Sequence, residues 1–101
     1  MSLDERIFNS EIFLICSKIK DINKKNKIKS IEILLNEKDN FKEIEMNIYY
    51  NNESFNKVVR IKYENKNFID DFKKKFEYYT EKLGMKLNLI KEEERKLIYS
   101  P

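Results

Sequence analysis

The sequence predicts an α+β domain: an antiparallel sheet with two helices packed on one face. Three observations predict it. Two segments place their apolar residues at the three-to-four-residue spacing of an amphipathic helix. Three segments between them alternate apolar and polar residues, the period of a half-buried strand. Asparagine-rich turns separate those strands. The expected order is α-β-β-β-α-β with a further strand at the end, in one domain over residues 1–101. A chain of this length can bury roughly 60–70% of the surface it exposes when unfolded, enough for one core.

Residues 4–22 form the first expected helix. Phe8, Ile12, Ile15, Cys16, Ile19 and Ile22 fall on one stripe, which predicts the core-facing side. Leu3, Ile7 and Leu14 lie about 120° round from that stripe, at about 100° per residue. Phe13 lies on yet another side. The helix is therefore more apolar around its circumference than a simple surface helix needs, which marks Leu3, Ile7 and Leu14 as a candidate protein interface.

Three strands follow. In KIKSIEILL the inward residues are Ile31, Ile33 and Leu35; in KEIEMNIYY they are Ile44, Met46, Ile48 and Tyr50; in SFNKVVRIKY they are Phe55, Val59, Ile61 and Tyr63. NEKDN and NNES are the turns. With Asn52 and Glu53 at the centre of the second turn, facing residues have numbers that add to 105. Ile44 then meets Ile61, Met46 meets Val59, and Glu43 and Glu45 meet Lys62 and Arg60. Opposite charges on facing positions stabilise such a pair by tenths of a kcal/mol to about 1 each. Tyr49 and Tyr50 must point to opposite faces. Tyr50 joins the core, and Tyr49 joins Leu34 and Val58 on the uncovered face, a second candidate interface. Tyrosine suits such a contact because it combines apolar bulk with a polar tip.

Residues 67–83 form the second helix. Asn67 is the expected N-cap, Asp70 and Asp71 lie in the first turn, Lys82 lies in the last, and Gly84 is the stop. Ile69, Phe72, Phe76, Tyr79 and Leu83 make its apolar stripe. The Lys73-Lys74-Lys75 run is spaced for i, i+4 pairing with Asp70, Asp71 and Glu77 and reads as a solvated face. MKLNLIK is the fourth strand, with Leu87 and Leu89 inward. KLIY is expected to return in a hairpin as an edge strand. Glu92, Glu93 and Glu94 read as a solvated turn.

The residue inventory excludes most catalytic constellations. There is no histidine, the usual general base and commonest metal ligand. A lone cysteine, Cys16, builds neither a disulfide nor a zinc site. One glycine is too few for a phosphate-binding loop. No enzyme activity, cofactor or metal is expected. No apolar run approaches the ~18 residues of a membrane span. The N-terminal stretch MSLDERIFNSEIFLIC carries acids where a secretory leader has cations, which gives a cytoplasmic expectation. The opening Met-Ser-Leu fits a cloning start, in which case the chain is a piece of a longer one. The wealth of Asn, Lys and Ile, without any alanine or glutamine, fits an AT-rich genome.

Two functional classes remain. The first is a protein-interaction or assembly module, contacting itself or another protein through the surfaces above. The second is an RNA- or DNA-binding domain. Its support is the segment KIKDINKKNKIK, where Lys18, Lys20, Lys24, Lys25, Lys27 and Lys29 face Asp21 alone. Clustered cations of this kind contact phosphates, but no arginine or aromatic ring is interleaved to read or stack on bases. The α-β-β-β-α order resembles double-stranded-RNA-binding domains and the Alu-RNA-binding subunits of the signal recognition particle. That resemblance implies a similar layering of helices on a sheet. It carries over no binding residues, because the second helix here opens with Asp70 and Asp71 where the first family has a lysine cluster. Protein contact is thus the first expectation and nucleic acid the second.

Overall fold

The structure is a computed structural model and describes residues 2–101. Helix α1 (Leu3–Lys25) precedes strands β1 (Ile28–Glu37), β2 (Lys42–Tyr50) and β3 (Glu53–Ile61). Helix α2 (Phe68–Lys82) and strands β4 (Asn88–Glu93) and β5 (Lys96–Ser100) follow. The five strands make one antiparallel sheet in the order β3-β2-β1-β5-β4. Both helices lie on one face of it, as the periodicity predicts, and one apolar cluster fills the space between.

Helix α1 begins where Ser2 accepts a hydrogen bond from the Glu5 amide at 3.2 Å. Asp4 and Glu5 in its first turn and Lys24 and Lys25 in its last complement the helix dipole. All six residues of the predicted stripe are buried. Phe8 stacks on Tyr63 at 4.0 Å and meets Phe68 at 5.9 Å. Phe76 meets Phe72 at 5.5 Å and Tyr99 at 4.9 Å, joining α2 to the sheet. Burying such a ring is worth about 1.5–3 kcal/mol relative to leaving it exposed.

The inward stripe of α2 runs through Phe68, Phe72, Phe76 and Thr80, with Ile69, Tyr79 and Leu83 partly covered at its side. It is rotated from the predicted one because Phe68 enters the Phe8–Tyr63 cluster. The expected i, i+4 ion pairs give way to longer-range contacts. Asp71 accepts from the Tyr63 hydroxyl at 2.8 Å, Glu77 accepts from the Tyr99 hydroxyl at 2.8 Å, and Lys73 pairs with Glu92 at 3.0 Å. Asn67 occupies the N-cap position without a side-chain cap bond.

Gly84 stops α2 as predicted, with φ +81°. Its amide donates to Glu81 and that of Met85 donates to Thr80, each at 2.9 Å, the paired bonds of a left-handed helix terminus. A Cβ at Gly84 would meet nothing within 4 Å, so substitution carries only the backbone penalty. Gly84→Ala is expected to lower stability by about 1 kcal/mol, measured as a lower urea midpoint. A loss of several kcal/mol would mean that packing, not backbone conformation, fixes this position.

The β2–β3 register differs from the predicted one by two residues. Facing numbers add to 103: Ile44 meets Val59, Met46 meets Lys57, and Tyr50 meets Glu53. A shift of two leaves every side chain on its predicted face, so the apolar pattern does not distinguish the two. The turn does. Its central pair is Asn51 and Asn52, and Asn51 takes the positive φ, +51°, which asparagine tolerates. Of the two predicted ion pairs, Glu43 meets Arg60 rather than Lys62, at 3.1 Å, and Glu45 meets Val58. Lys57 consequently sits between Phe55 and Val59 on the helix-facing side of β3.

The chain end forms the expected hairpin, but KLIY is not its edge. Strand β5 lies between β1 and β4, and β4 is outermost. The reason is burial: Leu97 and Tyr99 are wholly inside, whereas β4 offers only Leu89 to the core. Glu92 and Glu93 belong to β4 rather than to a turn. A register shift between Leu89 and Lys91 leaves Ile90 exposed at that edge. Among the described residues, no helix is long and apolar enough to cross a membrane.

Candidate protein interface

Four of the eight large hydrophobic residues exposed among the described residues lie on α1. Leu3 is 68% exposed, Leu14 50% and Ile7 42%, so all three helix residues singled out from the sequence face solvent. Phe13, on the flank toward α2, is also exposed and sets its ring edge-on to Tyr79 at 5.5 Å. Tyr79 in turn meets Tyr78 at 5.4 Å, and the Lys82 ammonium lies 5.5 Å from the Tyr78 ring centre. Asn9, Ser10, Phe13, Leu14 and Tyr79 line a shallow groove of ≈ 490 Å³ between the helices. Scattered exposed hydrophobics are ordinary, but a contiguous patch of them marks a contact surface.

Sequence reasoning placed Leu3, Ile7 and Leu14 here and missed Ser10, Tyr78 and Tyr79. A signal was available for Tyr78. It adjoins Tyr79, and neighbours on a helix stand about 100° apart, so both cannot be buried in one narrow stripe.

The uncovered sheet face carries the second predicted surface. Tyr49 and Val58 are exposed and Leu34 is half-buried. Polar side chains bonded across the strands surround them. Asn47 donates to Glu32 at 3.0 Å, Asn56 donates to Glu45 at 2.8 Å and to Asn47 at 2.7 Å, and Arg60 binds Glu43. Lys96 pairs with Glu32 at 3.2 Å. The Tyr49 hydroxyl reaches the same carboxylate at 3.5 Å. Partial burial and then Glu32 push its pKa up, so the phenol stays neutral. The three apolar residues are thus separated by a bonded polar ladder.

The six lysines of the basic segment do not form one surface. Lys18 lies over the Phe55 ring, 4.7 Å from its centre, and Lys20 is half-buried; the two project about 160° apart around the helix. Lys24, Lys25, Lys27 and Lys29 are exposed at the end of α1 and the start of β1. Lys24 approaches Asp21 at 4.0 Å. The loop there is braced by Asn51, which donates to Asn26 at 2.9 Å.

Chemically reactive groups are held in structural roles. Cys16 is wholly buried, and burial pushes its thiol up to about 12, which leaves it protonated and unreactive at neutral pH. Burial and then Asp71 push the Tyr63 phenol up to about 12; burial and then Glu77 raise Tyr99 further. Glu92 pairs with Lys73 and Glu93 with Lys91. Among the described residues, no three Cys, Asp or Glu side chains are grouped as metal ligands. A cleft of ≈ 560 Å³ lies beside the β1–β2 turn and is lined by both signs of charge, including Lys38, Lys62, Asp39 and Glu64.

No protein-family model matches the sequence, and no curated protein and no solved structure matches the chain.

Proposed function

We propose that this domain works by protein contact, as an assembly or adaptor module without catalysis. The observation that supports it best is the apolar ridge of Leu3, Ile7, Leu14 and Phe13 along α1, continued by Tyr78 on α2. Aromatic residues of this kind are enriched at protein interfaces. The sheet face is the weaker candidate, because its polar groups already satisfy one another. A cytoplasmic location goes with this reading, since the single cysteine is free and buried. Light scattering across a gel-filtration peak, with absorbance read for nucleic acid, tests it. A species larger than the monomer, free of nucleic acid and persisting at high salt, is expected, because apolar contacts resist screening.

The second reading, nucleic-acid binding, draws on the four exposed lysines Lys24, Lys25, Lys27 and Lys29. It predicts retention on nucleic acid that weakens steeply with salt and that Lys24→Glu with Lys25→Glu abolishes. Retention unchanged by that pair of substitutions would remove its only site.

A further inference from the structure

We infer that the end of the domain where α1 stops and β1 begins binds the phosphate backbone of a nucleic acid without reading its bases. This deepens the nucleic-acid reading and rests on it; it uses none of the residues of the α1 ridge. The surface is assembled from three separate segments rather than from the basic run alone. The end of α1 and the start of β1 bring Lys24, Lys25, Lys27 and Lys29, all exposed. Strand β5 ends beside them: Asn23, Lys27, Ile28, Lys29, Ser100 and Pro101 line one groove of ≈ 400 Å³. Ser100 pairs with Asn88 at the start of β4. That pairing brings in Lys86, which is exposed just before β4 begins.

Two observations separate this end from an ordinary solvated surface. The first is pairing. Elsewhere Lys42, Arg60, Lys73, Lys91 and Lys96 each have a glutamate partner. The acids at this end are Asp21, Glu53 and Glu81, and Lys24 approaches Asp21 at 4.0 Å. Among the described residues Lys25, Lys27, Lys29 and Lys86 make no ion pair. Lys24 and Lys25 complement the dipole of α1, but Lys27, Lys29 and Lys86 lie outside the helices. The second observation is a fixed mount. The Asn26 side chain donates to the Ile22 carbonyl at 3.2 Å and accepts from Asn51 at 2.9 Å, which ties the loop to α1 and to the β2–β3 turn. The β1–β2 register shifts between Ile28 and Ser30, and a bulge of this kind re-aims the side chain it carries, here Lys29. A backbone already held in place lowers the ordering cost of binding.

The chemistry selects the ligand. Lysines are point charges suited to phosphate, whereas they are depleted at protein contacts. Asn23 and Ser100 add neutral donors of the kind that bond phosphate and sugar oxygens. No aromatic or other large apolar side chain is exposed over residues 23–30 or at the end of β5. This end therefore has nothing to stack on an unpaired base or to enter a bilayer. Tyr49, which faces Ser30, is bonded to Glu32 instead. At the opposite end, the cleft beside the start of α2 is lined by Glu37, Asp70, Glu92, Glu93 and Glu94 with one cation, Lys66. Charge is thus divided between the two ends, which turns a polyanion toward the lysines.

The test is fluorescence anisotropy of a short labelled DNA duplex titrated with the full chain over a range of salt, using two unrelated sequences. Equal affinity for both is expected. Log affinity should fall against log salt with a slope of about −4.5, for five lysines at about 0.9 each. Lys29→Gln and Lys86→Gln should each flatten that slope by about one and leave the thermal melt unchanged, since both positions are exposed. Lys62→Gln, exposed beyond the far end of β3, should alter neither slope nor melt. No duplex binding at low salt overturns the nucleic-acid reading and this inference with it. Binding that Lys24→Glu with Lys25→Glu removes, but that Lys29→Gln and Lys86→Gln leave unaltered, overturns the three-segment surface and keeps the reading. A marked preference for one sequence overturns the backbone-only contact. Tighter binding to vesicles containing phosphatidylserine than to the duplex overturns the choice of nucleic acid.

Discussion

Phe76→Ala is expected to destabilise the protein by about 3–5 kcal/mol, the range for a fully buried aromatic ring. Phe76 is wholly buried, and its ring touches Phe72 on its own helix and Tyr99 on β5. Its backbone oxygen lies 3.8 Å from the Cys16 sulfur on α1. Removing the ring opens a cavity where both helices and the sheet meet, so no single element can move in to fill it. A domain of this size has about 5–15 kcal/mol in total, and the variant should unfold at a markedly lower urea concentration with an unchanged slope. Phe13→Ala is the control: the same side chain, exposed, should cost much less. Similar losses at both positions would contradict the burial assigned to them.

The second large effect is unfolding in alkali. Cys16, Tyr63 and Tyr99 all have folded-state pKa values above those of the open chain. Above about pH 9 the unfolded thiol ionises while the buried one, at about 12, does not. The folded state then holds the extra proton, so stability falls as pH rises, by about 1.4 kcal/mol per pH unit for each such group. Above about pH 10 the two tyrosines join in the same sense. Lys73, raised by its bond to Glu92, acts in the same direction but is partly exposed and adds little. Urea midpoints should therefore be level through neutral pH, decline from about pH 9 and drop more steeply from about pH 10. Cys16→Ala should remove the early part of the decline. A midpoint unchanged well above pH 10 would mean that these groups ionise in place.

The core of α1 was legible in full because a helix turns every residue by a fixed angle, so six positions determine one stripe. The strands were legible by face but not by register. A shift of two residues preserves faces, and only the backbone angle at Asn51 decides between the alternatives. The hairpin neighbours β2–β3 and β4–β5 were legible, but the place of the last hairpin in the sheet was not. Nothing in KLIYS says that it lies beside β1, and the full burial of Leu97 and Tyr99 emerges only when the sheet is assembled. Of the candidate interface, Leu3, Ile7 and Leu14 were visible as surplus apolar residues. Tyr79 was assigned to the core, and the groove beside Phe13 depends on how α2 lies against α1, which single-helix periodicity does not report.

Lys57 and Ile90 bear on how large any assembly can become. Each end of the sheet presents a row of backbone groups that another chain's strand can pair with, the ordinary route to fibrils. On β3 an ammonium group stands on the helix-facing side, where an added strand would have to bury it. On β4 the shift beside Ile90 interrupts the straight run that pairing needs. Both margins are thus closed to strand addition by devices inside this chain. The five-stranded order β3-β2-β1-β5-β4 therefore ends, on each side, in a margin that resists extension by another chain.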